Sequence, residues 1–180
     1  MIFEEQAIQE VFLISPKIIE DNRGVFFRSF CIREFEKITD TEFVQINHSI
    51  NFKKGTLRGV HYQLPPFAEE KIIRCIQGSV FDVFVDLRQN SPTFLNWGSV
   101  ILSAENKKSL FLPKGIAHGF LTLADDSQLL YQHSEFYTPD FEAGIRYDDP
   151  KLNIQWPTKP FEISERDVQQ PFLTADFNGI

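Results

Sequence analysis

Apolar and polar residues alternate with a period of two in many short runs along the chain. The runs are Val11–Ile14, Val25–Phe30, Phe43–Ile50, Thr56–Gln63, Lys71–Ile76, Ser79–Leu87, Gly98–Ser103, Ser109–Leu112, Ala117–Leu123 and Gln128–Ser134. Each reads as a β-strand. Turn-forming clusters separate them at Asp21–Gly24, Lys53–Gly55, Pro65-Pro66, Gln77-Gly78, Ser91-Pro92 and Pro113–Gly115. Only Arg33–Ile38 and Ser164–Gln169 carry helical patterns, and both are short. The predicted fold class is all-β, a sandwich or jelly roll with a few short helices. No repeat or linker interrupts residues 1–180, so one domain is expected.

Alternation also assigns faces. Val83, Val85 and Leu87 share one face of their strand. Leu129, Tyr131 and His133 share another, so Tyr131 is expected to point the same way as an apolar neighbour. Gln45, Asn47 and Ser49 form a polar row, which reads either as the lining of a cavity or as a solvated surface.

Composition adds to this picture. The chain has 19 Phe against 4 Tyr and 2 Trp, and rings favour pleated, half-buried surfaces. With 18 basic and 25 acidic residues it carries a net charge of −7. That argues against a nucleic-acid polymer or a membrane surface as partner. A bound phosphate would have to be held by a few local cations. No segment reaches the roughly 18 uncharged apolar residues of a membrane helix, and MIFEEQAIQE lacks the pattern of a signal peptide. Cys31 and Cys75 stand far apart and outside any C-x-x-C spacing. They read as unpaired thiols of a cytoplasmic protein, serving packing rather than redox chemistry.

Two segments carry the strongest chemical signals. Gly55–Gln63, with Lys71 and Gly78 beyond it, and Pro113–His118 resemble the two metal-binding motifs of the cupin superfamily. The cupin motifs supply three histidines and a glutamate. Here Gln63 stands at the second histidine position and Lys71 at the glutamate position. Two imidazoles beside an ammonium suit a divalent cation poorly. They suit proton abstraction next to a carbonyl: a fixed ammonium stabilises an enolate, a histidine removes a proton, and a tyrosine on a facing strand returns one. Taken singly, His61 reads as well as a satisfied core or surface group, Lys71 as a strand-edge charge, and Tyr131 as a core aromatic.

Longer stretches carry a closer resemblance. They include Asp21-x-Arg23-Gly24-x-Phe26, Phe43–Gln45 with Asn47–Ser49, Leu57–Gly59 with His61 and Gln63, and Phe81–Val83 with Val85 and Asp86. Further on come Ser91–Phe94 with Trp97, Leu102–Lys107, Ala117–Phe120, and Ile154 with Trp156-Pro157. Over nearly the whole chain the sequence resembles the dTDP-4-dehydrorhamnose 3,5-epimerase family. The resemblance implies a cupin double-stranded β-helix, or jelly roll, and a homodimer that exchanges N-terminal strands. It implies no cofactor, no metal, and a dTDP-linked 4-keto-6-deoxy sugar inverted at C3 and C5 through a C4 enolate. By position, His61 resembles the general base, Asp167 its orienting partner, Tyr131 the acid and Lys71 the enolate stabiliser. Arg23, Gln45, Asn47, Arg58, His118, Glu142 and Arg166 fall at substrate-contact positions, and Tyr137 where a ring stacks on thymine.

Departures from the family pattern keep alternatives open. Arg28 stands where a glutamate contacts the nucleotide, which reverses the hydrogen-bond demand and could instead add a phosphate contact. Arg166 replaces a lysine and Phe136 a tyrosine. The alternatives are a mono-epimerase acting at one carbon, an epimerase of a GDP- or CDP-linked sugar, a metal-dependent cupin, and a non-catalytic sugar-binding jelly roll. Strict alternation puts Arg58 and His61 on opposite faces, whereas the resemblance implies both at the substrate. Gly59 is therefore the expected place of a bulge that re-aims one of them.

Overall fold

The alternating runs fold into two facing sheets, seen in a computed structural model that describes residues 1–180. The first sheet holds β1 (Ile2–Glu5), β2 (Phe12–Ser15), β5 (Gln45–Asn51), β7 (Lys71–Gln77), β10 (Ser109–Leu112) and β12 (Ser127–His133), in the order β1-β2-β10-β7-β12-β5. The second holds β6 (Thr56–Gln63), β8 (Ser79–Asp86), β9 (Trp97–Ser103), β11 (Ile116–Thr122) and β13 (Glu142–Gly144), in the order β13-β6-β11-β8-β9, with β14 (Glu162–Ile163) parallel to β6. β3 (Ile18–Asp21) and β4 (Gly24–Phe27) form a separate hairpin. Two short helices, α1 (Ile32–Phe35) and α2 (Glu165–Val168), and one 3-10 turn at Pro139–Phe141 complete the chain.

All ten strand-like runs form strands, with ends displaced by a few residues. β1, β3, β13 and β14 are additional. They are two to four residues long, too short to show a period. The fold is a jelly roll of the expected all-β class.

Side-chain alternation sorts the apolar residues into three layers. Ile73, Cys75, Val80, Phe84, Leu110, Leu112, Phe120 and Leu129 fill the space between the sheets. Val60, Val83, Val85, Leu87 and Ala117 face the other way and are covered by the C-terminal segment through Ile154, Trp156, Leu173 and Phe177. Ile14, Ile72 and Phe111 face outward from the first sheet under Phe35 of α1. Much of the phenylalanine excess lies in that last layer. Phe35 meets Phe3 edge-on at 5.4 Å and lies 4.9 Å from Phe30, while Phe30 meets Phe43 at 5.6 Å. Such pairs contribute about 0.5–1.5 kcal/mol each beyond simple burial. Cys75 is buried and unpaired, and burial pushes its thiol up to about 11, so it packs as the sequence indicated.

The inter-sheet space is apolar at one end only. At the other, the inward positions become Lys71 on β7, Tyr131 and His133 on β12, His61 on β6 and His118 on β11. The predicted irregularity at Gly59 opens this end. His118 pairs with His61 and Phe120 with Arg58, so two steps on β11 face three on β6. The extra residue turns Arg58 to the same side as His61. Gly59 has φ +115°, and a Cβ there would lie 2.4 Å from Gly119 Cα. No side chain fits that approach.

Gly59→Ala is expected to lower stability by about 2 kcal/mol or more, through backbone strain and overpacking against Gly119. A urea midpoint equal to that of the natural chain would show that the close approach is not required.

Candidate functional site

The polar end of the inter-sheet space is an open cavity of about 350 Å³, the larger of the two main concavities. His61, Lys71, Tyr131, Asp167, Arg58, Asn47, His118, Tyr137, Glu142 and Arg166 all line it. The sequence placed these ten residues at the site individually, and the fold brings them together.

Each is held for an identifiable reason. β14 runs parallel to β6, with Ile163 beside Leu57, so α2 begins next to His61. Ser164 caps α2 by accepting from Asp167 N–H at 3.1 Å. Asp167 is thereby fixed on the first turn and 3% exposed. Its Oδ1 lies 2.7 Å from His61 Nε2, and its Oδ2 accepts from Gly59 N–H at 3.3 Å. Burial works against the Asp167 charge, but His61, Gly59 N–H and Ser164 outweigh it and hold the carboxyl below its usual value. An ionised Asp167 can only accept, so His61 Nε2 carries a proton, and in the neutral imidazole the lone pair falls on Nδ1.

Tyr131 projects from the opposite sheet, beside His118 with ring centroids 6.1 Å apart. Burial, and then the charge of Asp82, push its phenol well above the usual range, with Arg58 opposing. Tyr131 is therefore a neutral O–H. Arg58 Nε donates to Asn51 Oδ1 at 2.7 Å, and buried Asn51 is anchored on Ser127 O. Asn51 continues the row Gln45, Asn47, Ser49 on β5. That row lines the cavity at Asn47 and Ser49, which decides between the two readings of it. Gln45 stands just outside the lining and accepts from Tyr137 N–H at 3.1 Å. At the rim, Tyr137 donates to Glu142 Oε2 at 2.6 Å, and Arg166 pairs with the other Glu142 oxygen.

Two expected contacts lie elsewhere. Arg23 sits at the tip of the β3–β4 hairpin, 86% exposed and bound to Asp21 at 2.6 Å. Arg28 is bound to Glu34 at 2.6 Å. Neither lines the cavity of its own chain, because the hairpin pairs with neither sheet. The cations gathered at the cavity are Arg58, Lys71 and Arg166, a smaller group than the sequence suggested.

Several residues that shape the site were not singled out from sequence. Asp82, fully buried on β8, holds His118 Nε2 at 2.9 Å while its second oxygen has no partner. Burial pushes the Asp82 carboxyl up, and His118 offsets this only in part. Glu69 bridges Lys71 Nζ at 2.9 Å and His133 Nδ1 at 2.6 Å. For Asp82 and Asn51 a signal was present, a polar residue on an otherwise inward-facing, alternating strand. Glu69 precedes its strand and offers no such signal.

The residues present do not fit a cupin metal site. His61 and His118 are each engaged by a carboxylate, and Lys71 occupies the acidic position. The Gln63 amide is spent on Phe67 O and Thr138 N–H, at 3.0 and 2.7 Å. No group of three His, Cys, Asp or Glu converges on one point.

A family model for dTDP-4-dehydrorhamnose 3,5-epimerase matches residues 5–175. The Shigella flexneri dTDP-4-dehydrorhamnose 3,5-epimerase is 46% identical over 94% of this chain and 95% of its own. The solved dTDP-6-deoxy-D-glucose-3,5-epimerase of Legionella pneumophila Philadelphia 1, in complex with dTDP-4-keto-L-rhamnose, superimposes with a TM-score of 0.90. It is 40% identical, over 94% of this chain and 91% of that one. A 3'-monoepimerase from Streptomyces bikiniensis, in complex with dTDP-quinovose, superimposes with a TM-score of 0.86 at 33% identity, over 93% and 85% of the two chains.

The depressed Asp167 carboxyl has a pH signature. A lowered folded pKa contributes stability above the unfolded value, about 3.9, and loses it as pH falls through the folded value. The stability gap between the natural chain and Asp167→Asn should be full at pH 6–7 and shrink below about pH 4. Urea midpoints at pH 7 and pH 3 test this, and an equal gap at both contradicts it.

Proposed function

The chain belongs to the dTDP-4-dehydrorhamnose 3,5-epimerase family and is a nucleotide-sugar epimerase, and we propose that the cavity residues divide the reaction as follows. The substrate is dTDP-4-dehydro-6-deoxy-D-glucose, and the product is dTDP-4-dehydro-L-rhamnose. Both inverted carbons, C3 and C5, flank the C4 ketone, so one enolate stabilised at O4 serves both steps. His61 Nδ1 takes the proton from carbon. Its tautomer is held by Asp167, as a carboxylate does for the histidine of a hydrolase triad. Lys71, nearly buried in the cavity wall, supplies the fixed positive charge toward O4, and a charge in such a setting acts more strongly than one in water. Tyr131 O–H returns a proton from the opposite sheet, which is what makes the step an inversion.

The observation that carries this reading is the placement of His61 on one sheet, paired with Asp167 of α2, and of neutral Tyr131 on the other sheet, around a single cavity that also holds Lys71. Arg58, Asn47, His118, Glu142 and Arg166 are assigned to the sugar and diphosphate, and Tyr137 to the base.

We also propose a homodimer in the cytoplasm. The β3–β4 hairpin exposes Ile19 and Phe26, the latter 72% exposed, with no sheet of its own to join. Exchange of hairpins would cover these side chains and carry Arg23 and Arg28 to the neighbouring cavity. Phe26→Asp should then convert a particle of twice 20.9 kDa into one of 20.9 kDa by sedimentation. A monomeric natural chain overturns the arrangement.

Proton NMR in heavy water, with dTDP-, GDP- and CDP-linked 4-keto-6-deoxy sugars, tests activity, carbon position and nucleotide together. Deuterium should enter at both C3 and C5 of the dTDP sugar; label at one carbon alone would indicate a mono-epimerase. His61→Ala should suppress exchange by about 10²–10⁴-fold. Tyr131→Phe should retain part of the exchange while blocking inversion. Exchange at the natural rate in His61→Ala sinks the base assignment.

A further inference from the structure

Lys71 is only 8% exposed. A lysine ends a long, flexible stem, so its direction is set by whatever its ammonium pairs with. The reaction as read above requires Nζ to point at one oxygen of the substrate, so something must fix where it points.

We propose that Glu69 is a positioning residue for the reaction: held by His133, it aims Lys71 Nζ into the cavity. This rests on the reading of Lys71 as the enolate stabiliser. Lys71 and His133 are directly opposite in the β7–β12 register. Glu69 spans the pair, with Oε1 2.9 Å from Lys71 Nζ and Oε2 2.6 Å from His133 Nδ1. All three side chains line the cavity and are nearly buried. An ammonium has three N–H donors, so one bond to Glu69 leaves two for a ligand oxygen.

The second oxygen matters as much as the first. Burial opposes the Glu69 charge, but the His133 hydrogen bond and the Lys71 ammonium win and hold its carboxyl below the usual value. An ionised Glu69 only accepts, so His133 Nδ1 carries the proton. His133 Nε2 is then free to accept from Asn47 Nδ2, 3.4 Å away, while Asn47 Oδ1 accepts from Gln45 at 3.2 Å. The His133 ring lies 6.0 Å from that of Tyr131, at 23° to it. Glu69 thus ties Lys71 to the polar row of β5 and to the strand carrying Tyr131. A carboxylate beside a developing enolate repels it. Its place there is understandable if it acts on the lysine rather than on the sugar.

The other titratable groups around Lys71 are Tyr131 on β12 and, across the cavity, Arg58, His61 and His118. The adjacent β10 offers none. None of these is ion-paired with Lys71; Glu69 alone is.

The test compares Glu69→Gln, His133→Phe and Lys71→Met with the natural chain, each checked for a folded circular-dichroism spectrum. Glu69→Gln should lower kcat about tenfold to a hundredfold with KM nearly unchanged, less than the loss of a whole stabilising group. Glu69→Asp, compared in the same way, keeps a carboxylate at the position and should recover most of that loss, a rescue that a merely structural defect would not show. His133→Phe should lower kcat by less, again with KM nearly unchanged, and it carries the test alone if Glu69→Gln does not fold. Natural kcat in the folded Glu69→Gln and His133→Phe variants, with Lys71→Met inactive, overturns the role of Glu69 and leaves that of Lys71 standing. Natural exchange rates in Lys71→Met overturn both.

Discussion

The site depends on the contact between β6 and β11 at Gly59 and Gly119. Two backbones meet there at a distance that excludes any Cβ, and the extra residue this allows on β6 reverses the direction of Arg58. Without the bulge, strict alternation would send either Arg58 or His61 into the apolar layer under the C-terminal segment, where Val60 lies. A buried, unpaired charge in that layer would cost several kcal/mol. The same bulge points Gly59 N–H at Asp167, so one irregularity serves three groups of the site.

A second constraint follows from where the site lies. It occupies the polar end of an inter-sheet space that is otherwise close-packed with aliphatic and aromatic side chains. Charges there persist only when paired. The three nearly or partly buried histidines of the cavity accordingly each have a carboxylate: Asp167 for His61, Asp82 for His118 and Glu69 for His133, whereas exposed His48 pairs with Gln128. Lys71 shares the third, and Arg166 has Glu142. Arg58 is the exception, tied to an amide, Asn51. Its charge is therefore the least neutralised within the cavity, which suits an anionic ligand. The acidic composition does not conflict with this. Four of the 25 acids, Asp82, Glu69, Glu142 and Asp167, support the site's own cations and imidazoles.

Most of the fold was legible because its signal is local. A strand with one face in a core must alternate, and ten did. The polar row on β5 was legible as a row, but whether it faced a cavity or water depended on what lay opposite, which no local pattern contains. The candidate residues His61, Tyr131 and Lys71 came from types and motif spacing, and Asp167 from the family resemblance. Their supports did not. Glu69 reaches His133 across 64 residues of sequence, and Asp82 reaches His118 across 36. Such pairs exist only once the sheets have formed. Arg23 and Arg28 show the converse. The motif around them pointed to the substrate, but neither side chain lines the cavity of its own chain.

The contrast with a metal-binding cupin reduces to a change of sign at one inward position. A carboxylate there would add to the imidazoles as a ligand. Lys71 makes the position a cation, and the acid moves two residues back, to Glu69, where it supports rather than ligates. Under the proposed reading both arrangements offer positive charge to an oxygen of the bound molecule, but they differ in how that charge is directed. A metal ion is fixed by its ligands, whereas a lysine ends a flexible stem. The lysine solution therefore gains from a neighbouring carboxylate, and Glu69, locked by His133 on its other oxygen, lies beside Lys71 Nζ. Gln63 completes the change. At a former ligand position its amide now fastens the loops at Phe67 and Thr138, so the same residue that would have held an ion holds the cavity rim in place.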